Sequence, residues 1–209
     1  MLNVLEARGY ENPPNFSHAK KIMKKIYFED RRSYLKGCKY SYDINSCMDK
    51  TIVDSSSCDI EDENLSIKWV RIIPAVRYGE NLKCMNEKIC INMQGKPYKG
   101  EMCCRKTSPA YLKMEADLFN IVPVLSNIEN FSKNIGEDRE GDVARVYLYF
   151  YKYHKLSLSD EEIENFIAAH KRDEVSLREC EIHESVVKIQ GRENPWMISA
   201  CETLLKSEE

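Results

Sequence analysis

The chain of 209 residues has no apolar run that approaches the ~20 residues a bilayer-spanning helix needs, so no membrane span is expected. No Cys-x-x-Cys pair occurs, which removes the usual zinc-ribbon and thioredoxin motifs. Phosphate loops of the Gly-x-x-x-x-Gly-Lys kind, Gly-x-Gly-x-x-Gly turns, Gly-x-Ser-x-Gly elbows and His-Glu-x-x-His pairs are all missing. P-loop, dinucleotide, serine-hydrolase and zincin chemistry therefore lack their local signatures. Positive charge is not in excess: Lys+Arg 31 against Asp+Glu 34 gives a net −3. That excludes a strongly basic DNA-coating protein and leaves room only for local basic faces. Met1 to Pro14 shows no basic start followed by an apolar stretch, so no signal peptide is read there.

What is present is cysteine. The nine are Cys38, Cys47, Cys58, Cys84, Cys90, Cys103, Cys104, Cys180 and Cys201. Without metal-ligand spacing, disulfides account for them better than zinc does. Disulfides imply an oxidising compartment, and a chain whose leader is gone fits a periplasmic or secreted protein. The odd count leaves at least one thiol free or shared between chains; the competing account is nine reduced cysteines in a cytosolic protein. Apolar residues at 43% and charged residues at 31% suit a chain that buries a core as one globular domain.

The pattern along the chain is α+β, in a single mixed domain. Residues 1–14 read as a flexible arm ending at Pro13-Pro14, and residues 15–205 as the folded unit. Ala19, Ile22, Met23, Ile26 and Tyr27 repeat at helical spacing behind a candidate N-cap at Ser17, with Gly37 as the stop. Lys20, Lys21, Lys24 and Lys25 fall outside that stripe, as a solvated face would. From Cys38 to Arg105, turn residues and cysteines predict short strands and loops, with one strand over Ile67–Pro74. From Met114 the chain reads as helical. Leu118, Ile121, Val122 and Leu125 are spaced for a helix that Pro123 interrupts, and a short helix is predicted over Leu125–Ile135. Asp142 is a candidate cap for a helix to His154. Ser159 with Glu162 forms a capping box for a helix to Lys171, Gly191 ends another that starts at Glu174, and Trp196–Leu205 is the last.

His18, His154, His170 and His183 each fall in a predicted helix or its first turn, where a lone histidine is more often structural than a ligand. The stretch Met114-Glu115-Ala116-Asp117-Leu118-Phe119-Asn120 stands out, because two carboxylates and an amide sit among apolar residues. Acids placed so need a metal or a cation, and an internal ion pair with an arginine such as Arg145 is the plainer account.

Several stretches resemble the endonuclease I family of secreted and periplasmic bacterial nucleases. Trp69-Val70-Arg71-Ile72-Ile73-Pro74-Ala75 is similar to the family's Trp-Glu-His-Val-Val-Pro-Ala. Met114 to Pro123 is similar to Met-Glu-Ala-Asp-Leu-His-Asn-Leu-Val-Pro, and Gly141 to Tyr149 to Gly-Ala-Ile-Ala-Arg-Thr-Tyr-Leu-Tyr. Glu179-Cys180-Glu181, Lys188 to Gly191 and Asn194-Pro195 match its C-terminal signature, and Phe16-Ser17 with Ala19-Lys20-Lys21 its first helix. The match runs from about Asn15 to Cys201. It implies a ββα-metal nuclease core and hydrolysis of DNA or RNA with one divalent metal, usually Mg2+.

The departures fall on the centre. The family's metal-binding Glu is Val70 here, its general-base His is Arg71, and the His of Leu-His-Asn is Phe119. The position of the family's metal-binding Asn counts to Glu129, with Asn127 and Asn130 beside it. A family stretch of strands is shortened to Asn134–Glu140. Imidazole serves as a base because its pKa lies near working pH, whereas guanidinium stays protonated. Val70 offers no oxygen to magnesium.

The resemblance therefore implies a nuclease fold with lost or strongly reduced cleavage, binding nucleic acid through Arg71, Arg77 and Lys83. Arg71 either grips a phosphate or pairs with Glu115 or Glu129 where the metal stood. The alternatives are an active enzyme, with Mg2+, whose centre is rebuilt on Glu115 and Glu129, and a non-catalytic decoy for a protein partner. A Cys180–Cys201 disulfide is expected to tie the last two helices together.

Overall fold

Capping chemistry sets where the first helix begins. The computed structural model describes residues 13–43, 50–58, 60, 65–129, 131–136 and 139–206. Residues 1–12, most of the predicted arm, lie outside that set, as do Cys47 and Asn130. Helix α1 (Phe16–Ile26) is capped by Asn15, whose side chain accepts the His18 N–H, and it ends at Tyr27. This corrects the cap expected at Ser17 and the stop expected at Gly37. Asn15 already satisfies a first-turn donor from extended backbone, and Gly37 makes a separate turn at φ +65°.

Strands β1 (Tyr40–Tyr42) and β2 (Thr51–Val53) pair antiparallel, and the Cys38–Cys58 disulfide closes that unit. Strand β3 (Ile67–Arg71) follows. Pro74 then opens a one-turn helix, α2 (Ala75–Tyr78), and α3 (Lys83–Asn86) comes next. The hairpin β4 (Cys90–Ile91) and β5 (Pro97–Tyr98) leads into α4 (Glu101–Thr107) and α5 (Pro109–Glu115). Adjacent cysteines fix α4 from two sides: Cys104 is bonded to Cys84 of α3, and Cys103 to Cys90 of the hairpin. A cross-link closing a loop of this size is worth about 3 kcal/mol.

The spacing of Leu118, Ile121, Val122 and Leu125 reads as helix interrupted at Pro123, and the structure has a strand there instead. Strand β6 (Ile121–Leu125) pairs antiparallel with β3, from Ile67 opposite Leu125 to Arg71 opposite Ile121. Every residue of β6 is buried, which explains its unbroken apolar character. Pro123 is tolerated because each strand of a two-stranded sheet has a free edge, and its carbonyl accepts the Tyr34 N–H. Asn120 extends the ladder by one step: its Oδ1 accepts from the Ile73 N–H at 2.7 Å and its Nδ2 donates to the Ile73 carbonyl. The helix predicted over Leu125–Ile135 is absent among the described residues, which form a turn and a 3-10 turn at Ser132–Asn134.

Four helices finish the chain: α6 (Glu140–His154), α7 (Asp160–Arg172), α8 (Leu177–Gln190) and α9 (Ile198–Lys206). Ser159 with Glu162 and Ser176 with Glu179 form complete capping boxes, and Gly191 ends α8 at φ +67°. Asp142 lies inside the first turn of α6 rather than capping it. It is buried and accepts from Arg139 and Arg145. Arg145 also grips Glu179 with two nitrogens, so Arg145 does not serve Glu115. A disulfide joins Cys180 of α8 to Cys201 of α9.

The main core packs Tyr149 and Phe150 of α6 against Tyr111, Val124 and Ile73, while a second cluster seats Ala19 and Met23 of α1 on Val186 of α8. No helix among the described residues is long and apolar enough to cross a membrane.

Candidate functional site

Strand alternation sends Val70 and Arg71 to opposite faces of β3. Val70 packs against the main core, in register with Val122. Arg71, at the strand's end, enters a cluster supplied by four other elements. Its Nη1 donates to the Tyr78 hydroxyl at 3.0 Å and to Glu115 Oε1 at 3.1 Å. Its Nη2 donates to Glu101 Oε2 at 3.1 Å, and the guanidinium lies 5.0 Å from the centroid of the Phe16 ring in α1.

Arg105 approaches the same carboxylates from α4. Its Nε and Nη2 donate to Glu115 Oε1 at 2.8 and 2.6 Å, and Nη2 donates to Glu101 Oε2 at 3.3 Å. The Tyr111 hydroxyl adds a bond to Glu101 at 3.2 Å.

Local sequence explains the convergence. Gly100, at φ +97°, makes the turn that starts α4, a conformation few residues with a Cβ adopt. Glu101 and Arg105 then share a face one turn apart. Ser108 caps α5, with Pro109 at its first position, and this carries Glu115 to the helix end with its side chain 1% exposed. Two guanidinium groups thus meet two carboxylates, and the cluster neutralises itself. Arg71 is occupied by ion pairs with Glu115 and Glu101 rather than held open toward solvent. Glu129 is exposed and touches none of these groups, as is Asn127.

Neither the arginines nor the phenols of the cluster supply a base at neutral pH. The hydrogen bond to Glu115 raises the Arg105 guanidinium above its ordinary pKa. Burial raises the Tyr78 phenol, and burial pushes Tyr111 up to about 12, so both stay protonated at neutral pH, and Tyr111 donates to Glu101.

A divalent metal does not fit this donor set. Glu115 Oε2 is buried without a partner, but Oε1 of the same carboxylate already takes three N–H donors from two cations. An ion at Oε2 would face both guanidinium groups with Val70 supplying no oxygen. Among the described residues no three His, Cys, Asp or Glu side chains gather as a metal-holding group.

The histidines lie elsewhere. His183 of α8 accepts the Asn194 N–H through Nε2 and stacks on Phe119 at 5.4 Å between centroids. His170 meets Arg145. His154 sits at the end of α6 with Nε2 2.7 Å from Asp117 Oδ2. Asp117 is buried and also receives the Tyr149 hydroxyl, the Gln190 amide and the Phe119 N–H.

Arg77 is neutralised where it stands, by Glu80 at 2.7 Å and Glu162 at 2.9 Å, while Lys83 is exposed. The residues that sequence reasoning missed are Glu101, Arg105 and Tyr78. The signal for the first two was a Glu-x-x-x-Arg pair straddling Cys103-Cys104.

No protein-family model matches the chain. Among curated proteins it is similar to "Endonuclease-1" of Buchnera aphidicola subsp. Baizongia pistaciae, 23% identical over 226 residues that cover 90% of this chain and 84% of the relative. It is also similar to an "Extracellular deoxyribonuclease" of Aeromonas hydrophila, 24% identical over 221 residues and 90% of each chain. A "Periplasmic deoxyribonuclease" of the same organism is 23% identical over 221 residues, covering 90% of this chain and 86% of the relative.

Proposed function

This chain is related to the endonuclease I family, and we propose that it binds nucleic acid without cutting it by the family's divalent-metal route. The observation that carries the proposal is the ion pair of Arg71 with Glu115 at the position where the family places its proton acceptor. Phosphodiester hydrolysis needs an activated water and a stabilised leaving oxygen. Guanidinium cannot take a proton, and losing a general base alone costs ~10²–10⁴-fold. Val70 adds the loss of a metal ligand and packs, half-buried, against the core.

On this reading the antiparallel β3–β6 pair is what remains of the ββα-metal core. A centre rebuilt on Glu115 and Glu129 is disfavoured, because the first is bound by two arginines and the second stands apart and exposed. Four disulfides, with relatives named extracellular and periplasmic, support a secreted or periplasmic setting. The test is fluorescence anisotropy of labelled DNA and RNA oligonucleotides, in chelator and at two salt concentrations, followed by a gel of the same strands after incubation with magnesium. Expected are binding that weakens as salt rises and strands that remain full length. Absence of binding at low salt defeats the binding half of the proposal; shortened strands defeat the other half.

A further inference from the structure

On the far side of Tyr78 from Arg71, a cavity of about 330 Å³ opens between α2, α5 and the end of α6. We infer that this cavity is a binding site for a phosphate group, held by Lys113, Lys155 and His154. Its volume lies in the range of small-ligand pockets. Arg77 and Glu80 on one wall cancel each other. Lys113 and Lys155 are exposed lining residues, and neither ammonium meets a carboxylate among the described residues. Lys155 donates only to the Lys152 carbonyl, at 3.3 Å. The charge left facing the cavity is positive, and polar side chains of Asn81 and Ser157 stand beside it.

Two features distinguish the site from an ordinary basic helix end. The first is the polarised histidine. Asp117 accepts through Oδ2, which places the His154 proton on Nε2. The other ring nitrogen, Nδ1, has no protein partner among the described residues, and the ring lines the cavity. A phosphate can offer that nitrogen a P–OH hydrogen. The second feature is Lys155 itself. It adopts φ +57°, the one non-glycine residue with positive φ among the described residues, at the position after a helix where glycine is the unstrained choice. A backbone strained to place an ammonium at the rim is what a ligand contact calls for. The α6 carbonyl end disfavours an anion, and the two lysines offset it.

The experiment is isothermal titration of the full chain with inorganic phosphate, with a 5′-mononucleotide, and with a short oligonucleotide carrying or lacking a 5′-phosphate, at matched ionic strength. The expected result is binding of the mononucleotide, weakened about tenfold by Lys113→Ala and by Lys155→Gly. Lys155→Gly is also expected to melt no lower than the parent chain, because glycine relieves the strained turn. A lysine serving only to complement the helix end would leave phosphate affinity unchanged on that substitution, and this result overturns the proposal. So does failure of every phosphate probe to bind. Binding of the oligonucleotide only when it is 5′-phosphorylated identifies a strand end as the source; equal binding of mononucleotide and phosphorylated strand identifies the phosphate alone. The mononucleotide arm stands whether or not longer strands bind, so its failure is separate from failure of the proposed function.

Discussion

Glu115 and Asp117 stand two residues apart, both buried, in surroundings of opposite kind. Glu115 meets two fixed cations, Arg71 and Arg105, and its neighbours on the cluster are a second carboxylate and two protonated phenols. Among the described residues Asp117 forms no ion pair with an arginine or lysine, and Arg192 bonds instead to the Tyr149 phenol that donates to it. Asp117 is held by a histidine, a phenol, an amide and a backbone N–H, and the histidine borders an open cavity. The first acid is locked between guanidinium groups, and the second is bound to an imidazole that lines a cavity. The Arg71–Glu115 cluster is thus electrostatically closed, while the Asp117–His154 pair opens onto the cavity that Tyr78 lines.

The largest expected effect comes from unlocking the first acid. Glu115→Ala leaves the half-buried Arg71 and the exposed Arg105 sharing Glu101 alone. Breaking a buried pair from one side costs about 3–5 kcal/mol, readable as a lower urea midpoint. Asp117→Asn keeps shape and part of the hydrogen bonding, and its expected cost is smaller, about 1–3 kcal/mol. If the two substitutions cost the same, the contrast between the two acids is broken.

The smallest effect is the pH dependence that His183 contributes. Burial lowers the pKa of His183 below its ordinary 6.5, in keeping with Nε2 accepting the Asn194 N–H. As pH falls, the unfolded chain takes up the proton first. The stability contributed by neutral His183 is thus complete above the unfolded value and is lost as pH drops through the lowered folded one. Melting temperatures taken at about pH 8 and about pH 5 are expected to fall further for the parent chain than for His183→Gln. Equal falls in both would remove His183 from the account.

Local signals made much of this fold legible. Ser159 with Glu162 announced α7, and Gly191 closed α8, because capping is decided by neighbours in sequence. Strand β6 was not legible. The spacing of Leu118, Ile121, Val122 and Leu125 suits a helix, and only pairing with β3, some fifty residues earlier, decides for a strand. Asn15 outcompeted Ser17 as a cap through the geometry of its own turn.

At the site, Arg71, Val70 and Glu115 stand out in the sequence, and a pair of Arg71 with Glu115 or Glu129 is one of the readings open there. Glu101, Arg105 and Tyr78 do not stand out, because α4 reaches Arg71 only once Cys84–Cys104 and Cys90–Cys103 have placed it. His154 and Asp117 were each visible, but not their contact, which joins the end of α6 to the turn after α5.

The most direct test of the central claim is a plasmid-nicking time course with the purified chain in magnesium and, separately, in manganese. A guanidinium locked onto Glu115 predicts supercoiled plasmid that stays supercoiled at enzyme concentrations where an active relative relaxes it completely. Rapid, chelator-sensitive nicking that co-purifies with the chain and disappears in Glu115→Ala would contradict it.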